Sequence, residues 1–474
     1  MTRNDLAYPR REPDHAGEDA RVRNWARNAT LAPSASISAP RTEDELRALL
    51  STTTGGVRVI GSRMSPGRML ALAAEGDMLL DLSQLRGLVV LSEDRATFAA
   101  ATTLGEVYAC LTARGRMLPA APGVISSQTL AGALATGTHG QGLGQSCIAD
   151  AAVSVRMVLA DGSVEEFGAD HPWFGAVKLG LGVLGVVTQV TLRTVASPVY
   201  SCQKGATSAD TLESDLLTWN RENVMSKAWW FPDQNQVHVW TAQEASAGET
   251  DRYRAGGSVL LEQQTTNAVL NSTVDRTLEH MRGDTKILDE NGKPFQTVNR
   301  FKDFSDVTGD VYQVFCRGIA TPQINVEIGV PLAQAPRVVA AIKRWHAETR
   351  PHMHYPVILR ATGASDAWLS PSYGEETCFF GFVVYYAEDG SLSEEGVSFL
   401  RAVERVLADA GGRPHWGKYF DESLYDWSAL YPRWAAFRAV RSALDPRHRF
   451  ENAFTAELFG APARRVADRS GAAA

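Results

Sequence analysis

The chain has 474 residues, which is too long for one hydrophobic core and predicts two domains. Its content of 44% hydrophobic and 21% charged residues is typical of a soluble globular protein. A net charge of −7 without clusters of Lys and Arg argues against nucleic acid or an anionic membrane surface as a partner.

The first residues do not resemble an export signal. Arg10 and Arg11 are followed by an acidic segment with Pro, where a signal peptide needs an apolar run. No later apolar run has transmembrane length. The five cysteines are scattered without CxxC spacing and so indicate neither a zinc site nor a disulfide framework. We therefore expect a cytoplasmic protein.

The first 195 residues alternate between predicted strands and helices. Thr42, with Glu45 three residues later, predicts a helix start, and the helix is expected to run to Leu50. The segment "MLLDLSQL" predicts a strand, and "ATFAAATTLGEVYACLTARG" predicts an amphipathic helix. Further strands are predicted at Val57–Ile60, Ala152–Leu159 and Val183–Leu192. This alternation predicts an α/β or α+β architecture.

The composition changes after about Val195, where a Trp-containing polar segment begins and a Gln-, Thr- and Asn-rich stretch follows near 262–275. We therefore place a domain boundary there. The last third predicts strands in "QINVEIGV" and "CFFGFVVYY" and helices over 333–349 and 394–410. The tail "RVADRSGAAA" is expected to be disordered.

Residues Gly180–Gly185 match the GxGxxG pattern letter for letter. A dinucleotide fingerprint of the Rossmann type must follow a strand and open a helix, whereas here a predicted strand follows. We therefore interpret this segment as a glycine-rich entry to the strand.

Two other glycine-bearing loops stand far apart in the chain, at 61–67 within "VIGSRMSPG" and at 123–144, which includes "GALATGTHGQGLG" at 132–144. Backbone amides in such loops can form an anion-binding nest, although the second segment alone could also be an ordinary loop. Together they predict a site for a dinucleotide pyrophosphate without the single GxxxxGK[ST] element of a P-loop. His139 has no second ligand at useful spacing, so no metal site is predicted.

Several segments in the same order resemble the vanillyl-alcohol oxidase superfamily of FAD enzymes, in its branch of alditol oxidases and aldonolactone oxidases. The similar segments are "NWARN" at 24–28, the loop at Gly61, "LAGALATGTHGQG" at 130–142, "LGVLGVVTQVTL" at 181–192, "VEIGVP" at 326–331, "WLSPSY" at 368–373, "HWGK" at 415–418 and "DPRHRFENAF" at 445–454. The resemblance therefore covers nearly the whole chain.

The resemblance implies an α+β protein with an FAD-binding domain over 1–196 and a substrate domain over 197–420. The substrate domain would contain an antiparallel sheet flanked by helices. Residues 421–474 would complete the cofactor and substrate interface, with about the last ten disordered. The flavin would lie where the two domains meet.

The cofactor-binding residues that we expect come from both glycine loops and the following strand. They are Gly61, Ser62, Arg63, Met64, Ser65, Gly123, Ser127, Gly132, Thr138, His139, Gly140 and Val187. Many relatives have a His at position 64, joined covalently to the flavin. A thioether cannot form that link, and no Cys lies between Pro122 and Thr129 as in relatives with two links. We therefore expect non-covalent FAD and, because the link is missing, a lower reduction potential.

Three residues are the candidates for catalysis. Lys418 in "HWGK" would stabilise negative charge, unless it is a solvated surface Lys. The family has a Glu at the position of Glu327 that holds substrate hydroxyls, so the resemblance implies this role here, unless Glu327 forms a structural ion pair. His415 could serve as a base or pack behind Trp416 with a hydrogen bond to the backbone.

Other positions are expected to shape the substrate site. Arg360 and Ser370 would line it. Gly329 stands where alditol oxidases have an Arg, so a donor for polyols is missing and a larger pocket is expected. Trp229, Trp230 and Trp240 are aromatic residues of the core or a sugar-stacking surface.

The function predicted from these residues is an FAD-dependent oxidation of a CH–OH group in a sugar-like substrate, a polyol or a sugar unit of a larger metabolite. One alternative is an aldonolactone oxidase or dehydrogenase. Another is a protein that binds FAD in a structural or non-redox role. The electron acceptor would be O2 or another oxidant, with access controlled near residues 121–124.

Overall fold

The computed structural model describes residues 21–460 apart from 27, 34–35, 73–75, 123–125, 257–303, 316–322, 352, 386–391 and 393. Several of the sequence predictions concern residues outside this range: the absence of an export signal around Arg10 and Arg11, Gly123, part of the access segment 121–124, the polar stretch near 262–275 and the C-terminal tail.

A small parallel sheet carries the first glycine loop. Its strands, in spatial order, are Ile37–Ser38, Met78–Asp81 and Val57–Ile60. The helix Glu43–Thr52 begins as predicted, because the Thr42 hydroxyl accepts a hydrogen bond from the Glu45 amide. Its buried Leu46 and Leu50 share a core with Val57, so the strand that leads into Gly61 is held by packing.

A five-stranded antiparallel sheet follows, in the order Val164–Gly168, Ala152–Val158, Val186–Arg193, Arg95–Ala99 and Leu88–Leu91. The predicted helix over 96–115 was wrong in its first part, since Arg95–Ala99 is a strand and the helix spans Leu104–Thr112. Pairing with Val186–Arg193 buries Phe98, and this long-range contact overrides the helical propensity of the alanines.

The strand predicted from Val183 begins only at Val186. Leu181 and Gly182 have left-handed φ angles of 51° and 67°, and the Val183 amide donates to the Gly180 carbonyl at 3.0 Å, so Val183 belongs to a turn. The glycine-rich segment therefore forms a turn before the strand, in agreement with the interpretation that rejected a Rossmann fingerprint.

An eight-stranded antiparallel sheet dominates the rest of the chain. Its order is Phe304–Gly309, Tyr200–Ser208, Gln236–Glu244, Met225–Phe231, Val357–Thr362, Thr377–Tyr385, Gln323–Pro331 and Arg413–Pro414. One face packs on the helices Leu212–Glu222, Ala335–Thr349 and Glu394–Asp409. In Gln323–Pro331, Ile324, Val326 and Ile328 belong to that core, so Asn325, Glu327 and Gly329 face the opposite side.

The chain changes sheets close to the predicted domain boundary. Val195–Ala196 pairs with Arg116–Met117 in the first part, and Tyr200 begins a strand of the eight-stranded sheet. This change supports our proposed boundary between residues 196 and 197.

The C-terminal helices return to the first part of the chain. Phe437 and Leu458 share a core with Phe98 and Leu130 of the first part. These helices are Trp427–Leu430, Trp434–Leu444 and Ala453–Phe459. The remaining elements are the strands Arg21–Arg23 and Thr30–Pro33, the α-helices Leu130–Thr136, Phe174–Val177, Ala247–Arg254 and Val311–Phe315, and short 3-10 turns.

Trp230 and Trp240 are buried on opposite faces of the eight-stranded sheet, which confirms a core position for both. Trp229 is partly buried beside the same core as Trp240. Within the described ranges, no helix is both long and apolar enough to cross a membrane.

Candidate active site

The first glycine loop is held from behind by two asparagines. Asn24 Nδ2 donates to the Ser65 carbonyl at 3.1 Å, and Asn28 Nδ2 donates to the Pro66 carbonyl at 3.2 Å. The side chains of Asn24 and Asn28 also bond to each other at 2.6 Å. The "NWARN" segment therefore has a structural role, because it fixes the backbone of the loop.

The two glycine loops meet in space. A Cβ at Gly61 would overlap the Thr129 side chain, so the close approach requires glycine. The Ser62 hydroxyl donates to the Ser127 carbonyl, and Ser127 Oγ lies 3.9 Å from Met64 Sδ. Ser127 therefore joins the second loop to the first at Met64.

A cavity of about 1130 Å³, partly open to solvent, lies between these loops and the five-stranded sheet. Seven of the expected cofactor residues line it: Gly61, Ser62, Arg63, Met64, Ser65, Gly132 and Val187. Arg63 adopts a left-handed φ of 56°, an unusual conformation for a side chain with a Cβ and one that is concentrated at functional loops.

The sequence analysis missed one wall of this cavity. Gly180, Leu181, Gly182, Leu184 and Gly185 line it, although they do not form a Rossmann fingerprint. The available signal in the sequence was the high density of glycines in this segment, because a turn with positive φ angles lets the backbone approach a ligand closely. The segment was interpreted only as the entry to a strand.

Arg58 is a second residue that the sequence analysis missed. Its guanidinium is buried and donates to the carbonyls of Phe450 at 2.5 Å and Met69 at 2.7 Å. Arg58 also lines the cavity. An Arg in the middle of the apolar strand "VRVI" was the available signal, because a buried charge needs dedicated partners.

The second loop supports the cavity and also reaches the eight-stranded sheet. Thr138 Oγ1 donates at 2.7 Å to Gln128 Oε1, and Gln128 lines the cavity. Gly140 is required by close packing, since a Cβ there would overlap Gln145. His139 between them is buried and points to the eight-stranded sheet, where it meets Glu327.

Glu327 is the centre of a charged cluster. Arg360 Nη2 donates to its Oε1, His139 Nε2 lies 3.4 Å from the same oxygen, and Lys418 Nζ lies 3.9 Å from Oε2. The Glu327 side chain is only 5% exposed and that of Lys418 only 16%. Lys418 is therefore not the solvated surface Lys of the alternative interpretation, whereas Glu327 does form an ion pair.

The "HWGK" segment runs beside the strand that carries Glu327. The His415 amide donates to the Glu327 carbonyl at 2.8 Å, and the Tyr419 amide donates to the Asn325 carbonyl at 3.0 Å. These two hydrogen bonds are made by residues on either side of Lys418 in the sequence. They fix the position of Lys418 beside the strand Gln323–Pro331.

Lys418 also connects the cluster to the cofactor cavity. A Cβ at Gly67 of the first loop would lie 3.1 Å from the Lys418 carbonyl. A Cβ at Gly417 would lie 3.2 Å from Oγ1 of Thr136, which lines the cavity. The charged cluster therefore borders the cavity.

The electrostatics of the cluster favour bound negative charge. Burial alone raises the pKa of Glu327, but Arg360, His139 and Lys418 outweigh it and hold this pKa well below the ordinary value. Burial lowers the pKa of Lys418, and Glu327 opposes that shift. One carboxylate thus faces the two cations Arg360 and Lys418, which leaves excess positive charge.

The two imidazoles of the cluster have different proton positions. His139 Nδ1 lies 2.8 Å from the Gly140 carbonyl, and Nε2 lies 3.4 Å from the Glu327 carboxylate. A neutral ring that donates to the nearer oxygen, the carbonyl, has its lone pair on Nε2. The Gly417 amide donates to His415 Nδ1 at 3.0 Å, so a neutral His415 carries its proton on Nε2. His415 therefore fits the packed alternative better than the base.

Burial keeps both rings neutral around pH 7. It lowers the pKa of His139, with Glu327 in partial opposition, and it lowers the pKa of His415 to about 3. His139 is the imidazole with an available lone pair.

Gly329 does not enlarge the pocket in the way that the sequence suggested. A Cβ at this position would lie 2.6 Å from Thr377 Cγ2 and 3.0 Å from the Phe379 ring. The Phe379 ring stacks on His139 with centroids 3.7 Å apart. The space beside Gly329 is thus filled by Phe379, a residue that the sequence analysis did not single out.

Ser370 and Arg360, the two predicted lining residues, have different partners. Its hydroxyl is 3.1 Å from that of Ser372, and both are buried in a turn. Ser370 therefore has partners in its own turn, while Arg360 is in the cluster.

The prediction that no metal binds considered only possible ligands near His139 in the sequence. His139, Glu327 and His415 place one potential ligand atom each within 4.8 Å of one another, although they are far apart in sequence. Two cations already contact the carboxylate, however, and their charge opposes a metal ion at the same oxygens. The cluster fits an anionic or hydroxylated ligand better than a cation.

The cavity fits FAD in its chemistry. Glycine backbones at three separate positions allow close approach of a pyrophosphate, and the lining is otherwise rich in Leu, Val, Ala and Met. The Gly61 contact leaves no room for a side chain, as expected where backbone must approach a ligand.

Comparison with known proteins agrees with this geometry. Residues 190–458 match the family model for D-arabinono-1,4-lactone oxidase, and residues 34–168 match that of an FAD binding domain. The chain belongs to the D-arabinono-1,4-lactone oxidase family. The predicted FAD-dependent oxidoreductase acting on CH–OH groups is confirmed at this level.

Curated relatives match over nearly their whole length. An L-gulono-1,4-lactone dehydrogenase of Mycobacterium tuberculosis is 28% identical over 458 residues, which cover 92% of this chain and 98% of the relative. An alditol oxidase of a Streptomyces species is 25% identical, with 92% of this chain and 98% of the relative covered.

A solved structure named solvent-stable cholesterol oxidase has the same fold. The TM-score is 0.74 at 16% sequence identity, over 94% of this chain and all of the other. The predicted α+β architecture of the vanillyl-alcohol oxidase type, with a large antiparallel sheet in the second part, is thereby confirmed.

Proposed function

We propose that this protein oxidises a secondary or primary hydroxyl of an aldono-1,4-lactone or related sugar, with FAD in the cavity between the glycine loops. The observation that carries the proposal is the position of Lys418. Its side chain contacts Glu327, while its backbone lies against Gly67, and the neighbouring Gly417 lies against Thr136, which lines the cavity. Cofactor and substrate groups would therefore meet at one place.

Bound FAD would supply the hydride acceptor. Glu327, ionised and held by Arg360, accepts hydrogen bonds from substrate hydroxyls. Lys418 stabilises negative charge that develops next to it, an effect that is strong because its side chain is mostly shielded from water.

His139 is the proton acceptor in this proposal. Its Nε2 lone pair lies at the Glu327 carboxylate, and its Nδ1–H is fixed by the Gly140 carbonyl. A proton taken up at Nε2 would be stabilised by that carboxylate. His415 is a hydrogen-bond donor at the same site, because its Nδ1 already accepts the Gly417 amide.

Lactones come first among the candidate substrates, because the relative from Mycobacterium tuberculosis carries a lactone in its name and Gly329 offers no side-chain donor for a polyol. Phe379 fills the space beside Gly329 with an apolar ring, which likewise offers no hydrogen-bond donor to a polyol. Open-chain polyols and aminosugar-containing metabolites are the second group.

The test is anaerobic mixing of the yellow protein with aldonolactones, polyols and aminoglycosides, with the flavin absorbance as readout. We expect bleaching by a lactone and much slower bleaching by the polyols. The Glu327→Gln variant is the control, because a chemical reductant should still bleach its flavin. A protein that binds FAD and stays yellow with every compound would favour the structural or non-redox alternative.

We further propose that the FAD is held without a covalent bond. Among the described residues that line the cavity there is neither His nor Cys, and Met64 occupies the loop position expected of the linking residue. Acid precipitation should release all flavin into the supernatant. Flavin in the pellet would contradict the proposal.

We also propose a cellular location and a test of the electron acceptor. Three of the described cysteines, Cys110, Cys147 and Cys378, are free thiols, which supports a cytoplasmic location. The acceptor, O2 or another oxidant, can be decided by mixing the reduced protein with air-saturated buffer. Reoxidation within milliseconds to seconds would identify an oxidase, and a stable reduced flavin a dehydrogenase.

A further inference from the structure

The strand Leu88–Leu91 is unusual among the described strands because its whole length is apolar and exposed. Leu88, Val89, Val90 and Leu91 are 38%, 47%, 58% and 39% exposed. Side chains of a strand alternate between two faces, so both faces of this strand are in contact with solvent. None of these residues is a member of the apolar clusters formed by the described part of the chain.

This strand is also the last of the five-stranded sheet. It pairs with Arg95–Ala99 on one side, and it ends the strand order within the described residues. Its other edge offers backbone N–H and C=O groups for pairing. Proteins usually protect such an edge with charged residues or Pro, with a short strand or with a bulge. "LVVL" contains no charged residue and no Pro, but it is only four residues long and its register shifts between Leu88 and Val90.

The charges that flank the strand are arranged for pairing with a copy of itself. Arg86 precedes it, and the acidic turn Glu93–Asp94 follows it. An antiparallel two-fold pairing centred on Val89 and Val90 places Arg86 of one copy opposite Glu93 or Asp94 of the other. The same contact is made twice, because a two-fold interface is self-complementary.

These flanking groups are on the surface and can reach a second molecule. The side chains of Arg86 and Asp94 are 48% and 66% exposed. Arg86 already bonds to Glu106 at 2.8 Å, and a guanidinium has enough donors for a further carboxylate.

We propose that two copies of this protein associate through antiparallel pairing of Leu88–Leu91, which joins two five-stranded sheets into one ten-stranded sheet. The pairing covers the four apolar side chains, satisfies the free strand edge and pairs Arg86 with the acidic turn. The contact is independent of the proposed oxidation, since none of these residues lines the cofactor cavity or the charged cluster.

The test is sedimentation velocity of the full chain with bound flavin over a concentration series. We expect a concentration-dependent dimer for the natural protein. Val90→Lys places two like charges near the two-fold axis and should weaken dimerisation at least tenfold. Val224→Lys is the matched control, because Val224 is 39% exposed and lies outside this strand.

Substitutions of the charged residues that flank the strand test the register of the pairing. Arg86→Glu should weaken the dimer about tenfold, and the triple variant Arg86→Glu, Glu93→Arg, Asp94→Arg should restore it. Flavin content and the thermal midpoint confirm that each variant is folded. A natural protein that stays monomeric, or a dimer that Val90→Lys does not weaken more than Val224→Lys, overturns the proposal. A dimer unaffected by Arg86→Glu overturns the two-fold register.

Discussion

The cofactor cavity and the charged cluster are built in different ways. The cavity is formed by backbone in short glycine segments, such as Gly61 and Gly180–Gly185, with few charges. The cluster is formed by side chains of Glu327, Arg360 and Lys418, which come from separate strands and a loop. A local motif is enough to recognise the first, while the second depends on strand register.

The comparison predicts different consequences of substitution. A change in the cavity should alter how much flavin is bound, whereas a change in the cluster should alter how fast bound flavin is reduced.

Glu327→Gln should lower the rate of flavin reduction by about 10³-fold, because it removes the group that orients the substrate. It should also reduce the free energy of unfolding by roughly 3 kcal/mol, since Arg360 loses its buried partner. Stopped-flow reduction and urea unfolding measure the two effects.

A double variant separates catalysis from the structural ion pair. Glu327→Met with Arg360→Met should recover most of the stability, because no uncompensated charge stays at this pair. It should not recover the reduction rate. A double variant that reduces flavin normally would show that Glu327 is only a structural ion pair.

Lys418→Met should slow flavin reduction by about 10² to 10³-fold with little change in flavin content. Lys343→Met is the control, because Lys343 bonds to Glu213 at 2.7 Å and to the Ala209 carbonyl at 2.6 Å, away from the cluster. Equal flavin reduction in both variants would remove Lys418 from the proposed site.

The two imidazoles should differ in pH dependence. A base must be neutral to accept a proton, so the reduction rate should rise with pH and level off above the His139 pKa, which burial lowers from its ordinary value. His139→Gln should lower the plateau rate by about 10²-fold and abolish this rise. His415→Gln should keep the rise. If His415→Gln loses the rise of the rate with pH and His139→Gln keeps it, His415 is the proton acceptor and His139 is not.

Gly61→Ala should weaken FAD binding about tenfold, because the added methyl group overlaps Thr129 and separates the loops. Gly144→Ala is the matched control in the second loop, since a Cβ there would meet nothing within 4 Å. The flavin-to-protein absorbance ratio after gel filtration measures both. Equal flavin retention in the two variants would contradict the tight loop contact.

The helix start at Thr42 and the strands around Ile60 and Glu327 could be predicted because each has a local pattern of caps or alternation. The strand Arg95–Ala99 could not, because its alanines favour a helix until they pair with Val186–Arg193.

The candidate site shows the same division. Gly61, Met64 and Gly132 were predicted from glycine-bearing segments, and they line the cavity. Phe379 was not predicted, because one Phe in "CFFGFVVYY" looks like any other until the register places it beside Gly329 and under His139.

The sequence alone determined the family, the cofactor class, the two glycine loops and the strand that carries Glu327. Only the tertiary structure decided which imidazole has an available lone pair, that Phe379 fills the space beside Gly329, and that Gly180–Gly185 form a wall of the cavity. The reason is physical: turns, caps and alternation depend on neighbours in the chain, whereas proton positions and side-chain contacts depend on groups that the fold brings together from distant positions.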